Sequence, residues 1–152
     1  MTIRKEIIAN IVTSLADIRT ANGYVTEIGT NVFKVRKNLS SSKLPAITVW
    51  PQSEDNEKIH GKNRSTMPIR IEGILAFTQG DDLSDLAEDI LGDIRKRMED
   101  LSDDVTSGLA DRIEYQSGGV DEYPEPGDAA VVCSAVFNIV YKTVAGDPFS
   151  QS

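Results

Sequence analysis

The hydrophobic positions of this 152-residue chain change period several times, and each change predicts an element. From Thr2 to about Thr20, Ile3, Ile7, Ile11, Leu15 and Ile18 recur at spacings of three and four, and Ile8 and Val12 widen the stripe. That is the apolar face of an amphipathic helix, with Thr2 placed to cap its start and Gly23 following its end. Two short strands are expected next, at Tyr24–Ile28 and Val32–Lys37, divided by a Gly29-Thr30-Asn31 turn. A serine-rich loop, Asn38–Lys43, leads to Pro45 and a β-branched strand at Ala46–Trp50, whose regular pairing should weaken at Pro51. Strand alternation resumes over Pro68–Phe77. There Ile69, Ile71, Leu75 and Phe77 alternate with Arg70, Glu72 and Ala76, and Gly73 falls on the inner face.

The second helix is expected over about Asp82–Leu101, with Leu83, Leu86, Ile90, Leu91, Ile94 and Met98 as its stripe. Asp82, Asp85, Glu88 and Asp89 near its start, and Arg95, Lys96 and Arg97 near its end, complement the helix macrodipole. A short strand at Arg112–Gln116 and a loop through Gly118-Gly119 and Tyr123–Asp128 precede a long final strand, Ala129–Thr143. Val131, Cys133, Ala135, Phe137, Ile139 and Tyr141 share one face of that strand. Residues 144–152 carry no pattern and are expected as a mobile tail behind a single domain of residues 1–143.

Two amphipathic helices and a mostly antiparallel or mixed sheet pack as two layers, so the predicted class is α+β with both helices on one sheet face. The other face is semi-apolar, with Ile74, Val132, Val136 and Val140, and is a candidate for coverage by another subunit. Between two core strands lies the polar stretch Gln52–Thr66, with Glu54, Asp55, Glu57, Lys58, Lys62 and Arg64 and one aliphatic residue, Ile59. It reads as a solvated loop or an exposed β-arm.

Charge and composition narrow the function. The 16 basic and 24 acidic residues give a net charge of −8, which argues against a general nucleic-acid binder. No segment approaches the ~20 apolar residues of a membrane helix, and no signal-peptide core follows Arg4-Lys5-Glu6. The single cysteine, Cys133, forms no disulfide within the chain, which fits a reducing cytosol, and its strand position reads as buried. With one cysteine and one histidine, His60, no zinc site closes, and a Cys133–His60 pair is set aside on burial grounds. Glu54-Asp55 with Glu57, Asp81-Asp82 with Asp85, Asp103-Asp104 and Asp121-Glu122 lack calcium-loop spacing and read as solvated loops or helix starts. Neither dinucleotide nor P-loop glycine spacing occurs. No catalytic residue, metal ligand or cofactor site is assigned.

The order of motifs nevertheless has a likeness. A leading helix is followed by Val32-Phe33-Lys34-Val35-Arg36, by Leu44-Pro45-Ala46-Ile47-Thr48-Val49-Trp50 and by the charged arm. Then come Ile69-Arg70-Ile71-Glu72-Gly73-Ile74-Leu75-Ala76, the helix Leu83–Met98, and Ala135-Val136-Phe137-Asn138-Ile139-Val140-Tyr141. Over about residues 2–143 this resembles the tail terminator proteins of long-tailed bacteriophages, the lambda-type minor tail protein U family. The resemblance implies a homo-oligomeric, hexameric ring at the head-proximal end of the tail. Such a ring caps the tail tube, ends its polymerisation and offers a docking surface to the head connector, while DNA passes through without specific binding. It implies a virion protein assembled in the bacterial cytoplasm, with the arm at Gln52–Thr66 reaching neighbouring subunits. The alternatives are another head–tail joining or tail-completion protein, a non-catalytic bacterial adaptor domain and, last, an enzyme that uses carboxylates.

Overall fold

A computed structural model describes residues 1–36, 39–124 and 128–152, with Glu122 described by its backbone. The expected strand end at Lys37, the loop start at Asn38 and the Pro126-Gly127 loop lie outside the described residues. The fold is α+β: two α-helices and one seven-stranded mixed sheet among the described residues.

Helix α1 spans Ile3–Leu15 and buries Ile3, Ile7, Ile11 and Leu15, while the Thr2 hydroxyl caps it by accepting the Lys5 N–H. It ends five residues short of the expected Thr20. Asp17 N–H and Ile18 N–H bond back to Ser14 O and Leu15 O, three residues behind, and this tighter turn swings Ile18 into the core. The strand expected at Tyr24–Ile28 does not form. Its amides find another acceptor: Val25 N–H and Thr26 N–H donate to the Asp93 carboxylate at 3.0 and 2.6 Å, so no ladder partner is needed.

Strand β1 is Val32–Lys34, shorter than expected, and runs parallel to β2, Ala46–Pro51. After it come β3, Asp55–Ile59, and β4, Lys62–Ala76. Helix α2 is Leu83–Met98, capped by the Asp82 carboxylate on Ser84 N–H and Asp85 N–H. Strand β5 is Arg112–Glu122, β6 is Ala130–Val144 and β7 is Asp147–Gln151. The main order is β1-β2-β4-β6-β5, with β3 beside β4 and β7 beside β6. β4 and β6, each 15 residues long, pair antiparallel from Lys62↔Val144 to Ala76↔Ala130 and form the spine.

The spine's alternation sends Met67, Ile69 and Ile71 of β4, and Val131, Cys133, Ala135, Phe137 and Ile139 of β6, into one core with both helix stripes. Gly73 lies where α2 crosses most closely. A Cβ built there would stand 2.4 Å from Ile90 Cγ2, so any side chain would push the helix away. The expected short strand at Arg112–Gln116 continues through Gly118-Gly119 to Glu122, with bulges near Tyr115/Ser117 and Val120/Glu122. The expected mobile tail instead turns back at Ala145-Gly146 and pairs as β7. Gln151 Nε2 ties it down by donating to Gly108 O at 3.0 Å.

Candidate assembly surfaces

The polar stretch 52–66 folds as a hairpin. β3 and the first part of β4 pair from Asp55↔Thr66 to Ile59↔Lys62, leaving His60-Gly61 as a two-residue turn. Both turn residues have positive φ, 45° and 78°, as a primed hairpin turn requires. Because β2 and β3 flank β4 in succession, the hairpin is the continuation of the sheet beyond Pro51 and Pro68, not a separate lobe.

Of the six arm candidates, Asp55, Glu57, Lys58 and Lys62 are exposed and Arg64 is half-buried. Arg64 and Glu57 face each other across the strands and pair at 2.6 Å. Glu54 belongs to the root of the arm. Arg4 Nη1 and Tyr141 OH both donate to its Oε1, at 2.6 and 2.7 Å, and Arg4 Nη2 also holds Gln52 O at 2.7 Å. Burial raises the Glu54 pKa, but these donors together lower it by more, so it stays below the ordinary carboxylate value. Burial, reinforced by the neighbouring Glu54 carboxylate, pushes the Tyr141 phenol upward in turn. Sequence placed Glu54 with the exposed charges; its partners lie 50 and 87 residues away, so no local pattern marks it.

On the open, semi-apolar sheet face the four expected residues differ in exposure. Ile74 and Val132 are register partners, and together with Val136 they are half-buried. Val140 is 3% exposed, seated between Thr66 and Arg112 in register, and is already covered by its own chain. Along β6, Ser134 and Asn138 separate the three valines, so the stripe is interrupted. Its centre holds a polar network instead. Arg70 Nη1 lies 3.4 Å from Glu72 and 3.9 Å from Asp121, and its guanidinium is 5.6 Å from the centre of the Trp50 ring. Trp50 Nε1 donates to Glu72 and Ser134 Oγ donates to Asp121. Burial raises the Glu72 pKa above its ordinary value; Arg70 and Trp50 oppose that, and Asp121 adds to it. Arg70, Glu72, Asp121 and Val132 line a cleft of about 730 Å³ with Leu39 and Tyr123. The network was missed because its members come from β2, β4, β5 and β6 and meet only through register.

The remaining chemical candidates are occupied structurally. His60 is exposed in the hairpin turn, and Cys133 is wholly buried, its thiol pushed up to about 11 by burial. Asp81 accepts from Thr78 N–H at 2.7 Å, Asp82 caps α2 and Asp103 pairs with Arg97 at 3.0 Å. Among the described residues no three His, Cys, Asp or Glu side chains converge as a metal set. No helix among them is long and apolar enough to cross a membrane. The basic end of α2 does more than complement a dipole. Arg97 is buried and donates to Ser14 O at 2.8 Å and to Asp17 at 3.1 Å, clamping α2 to the end of α1. No known family profile matches the chain, and no curated protein is significantly similar to it.

Proposed function

We propose that this chain is a structural, non-catalytic subunit of a ring that terminates a bacteriophage tail tube and offers the joining surface for the head. The observation that supports it best is the β3–β4 hairpin. It is an exposed, two-signed polar arm continuous with the core sheet, rigid at its root through Glu54, Arg4 and Tyr141. An arm so anchored holds a fixed direction and reaches a neighbour without an ordering cost. The net charge of −8 per subunit suits a ring through which DNA slides, because anionic walls displace no counterions from phosphates. Hexameric stoichiometry, the tube and connector partners and the virion location come with this reading.

Native mass spectrometry with negative-stain imaging over a concentration series tests it. Closed six-membered rings with a central hole are expected, and excision of residues 55–64 should leave a folded chain that no longer closes them. Rings that form unchanged without the hairpin would remove the arm from the mechanism.

One observation favours a second reading. Glu72 combines an elevated pKa with a cleft and a neighbouring carboxylate, Asp121, a combination that acid–base sites share with structural ion-pair networks. An enzyme reading requires small molecules to bind there. A ligand screen followed by nuclear magnetic resonance at the Trp50 indole N–H, which should shift only if the cleft is filled, separates the two.

A further inference from the structure

The loop after α2 holds Leu101 wholly outside the protein, at 102% relative exposure. It stands in the run Glu99-Asp100-Leu101-Ser102-Asp103-Asp104, four carboxylates in six residues. This loop is built from defined contacts. Ser102 N–H and Oγ donate to Asp100 at 2.8 and 2.7 Å, Thr106 N–H and Oγ1 donate to Asp104 at 2.8 Å, and Arg97 holds Asp103 at 3.0 Å. Arg95 and Arg97 offset part of the charge, and the surface around the leucine remains acidic. A leucine presented this way exposes apolar surface whose burial is favourable.

A complementary feature lies elsewhere. Between the start of α1 and the end of β1 is a groove of about 500 Å³ whose lining includes Arg4, Lys5, Ile8, Lys34, Val35 and Pro51. Val35 has φ 49°, a left-handed backbone that a β-branched residue adopts only against strain, and its side chain is 62% exposed. Arg4 is committed to Glu54. Lys5 and Lys34 are exposed and enter none of the ion pairs among the described residues. The groove therefore combines apolar side chains, Ile8, Val35 and Pro51, with two lysines that form no ion pair among the described residues.

Helix α1 separates the two features. Asn10 and Ser14 donate to Thr106 O and Val105 O, so that flank of the helix faces the acidic loop. At about 100° per residue, Lys5 and Ile8 lie roughly opposite Asn10 and Ser14 around the axis. Knob and groove thus point away from each other and cannot meet within one chain.

We propose that Leu101 of one copy docks in the Ile8–Val35–Pro51 groove of a second copy, with the carboxylates around Leu101 set against Lys5 and Lys34. Such a contact is heterologous: each copy offers its knob to the next and its groove to the previous, and repetition gives a ring when the rotation closes. The inference rests on the assembly reading above and uses a surface distinct from the hairpin.

The test uses the full chain in two single-site variants, Leu101→Cys and Val35→Cys, one isotopically heavy, mixed under mild oxidant; Cys133 is buried and stays out of the reaction. A disulfide-linked pair of one heavy and one light copy is expected, well above the linked pairs formed by either variant alone. Leu101→Glu should weaken self-association at least tenfold with an unchanged melting temperature. Cross-linked pairs together with closed rings support the contact and the ring. Cross-linked pairs with only dimers or open chains keep the contact and sink the ring. Closed rings that survive Leu101→Glu and give no cross-link overturn the contact and leave the ring standing. A chain that stays monomeric at every concentration overturns the contact.

Discussion

The two parts of β4 live in different surroundings. From Met67 to Ile71 the inward side chains are wholly buried beneath the helices. From Lys62 to Thr66 the same strand is one leg of the hairpin, and its residues are charged or polar. The hydrogen-bonded ladder to β6 runs unbroken through both. The difference lies in side chains, not backbone. The core end fixes register, because a slip by one residue would turn Met67, Ile69 and Ile71 to the wrong face. The arm inherits that register and is free to carry whatever charges an outside contact requires.

Mutations that separate the two parts should fall in a clear order. Ile90→Ala removes the α2 side chain packed over the core end and should cost about 2–5 kcal/mol in chemical denaturation. Gly73→Ala overfills the same place from the strand side. With a Cβ forced to 2.4 Å from Ile90 Cγ2, a loss of about 1–3 kcal/mol is expected, and a double variant with Ile90→Ala should recover part of it. At the arm's tip, Gly61→Ala meets no atom within 4 Å, so its cost is purely that of φ 78°, roughly 1–2 kcal/mol. That cost should appear as faster hydrogen exchange in β3 while the core amides keep their protection. Arg64→Ala removes the exposed cross-strand pair with Glu57 and should cost no more than ~1 kcal/mol, a value that shrinks in high salt.

The smallest effect is expected on the open face and depends on pH. The folded pKa of Glu72 is raised above its ordinary 4.5, so the fold favours the protonated form. Its contribution is fully present below 4.5 and is lost as pH rises through the raised folded value. Glu72→Gln should therefore match the parent's melting temperature in acid and exceed it at neutral pH. A variant less stable than the parent at neutral pH would show that Arg70 outweighs burial.

Much of the core end was legible in the sequence, because its signals are local. The Ile3-Ile7-Ile11-Leu15 stripe, the α2 stripe and the alternations around Ile71 and Ala135 each specify a face without reference to the rest of the chain. The hairpin's exposure was legible from its charges, and Cys133's burial from its strand. What failed depended on distant partners. Tyr24–Ile28 has strand composition, but the Asp93 carboxylate, nearly 70 residues on, takes up its amides. Residues 147–151 look patternless, yet the turn at Ala145-Gly146 returns them to β6. The polar network on the semi-apolar open face was not legible because Ile74, Val132, Val136 and Val140 were seen one strand at a time, without Trp50 and Asp121 beside them.

Cys133 sits near the core end of the spine, in register with Gly73 on one side and Val120 on the other, with no exposure at all. Thiol reagents attack the thiolate, and burial keeps this group protonated at neutral pH. The unmodified protein therefore carries its own clock: the rate at which Cys133 becomes labelled reports how often the β4–β6–β5 ladder opens. Arm and groove variants should leave that rate alone, whereas Gly73→Ala should quicken it.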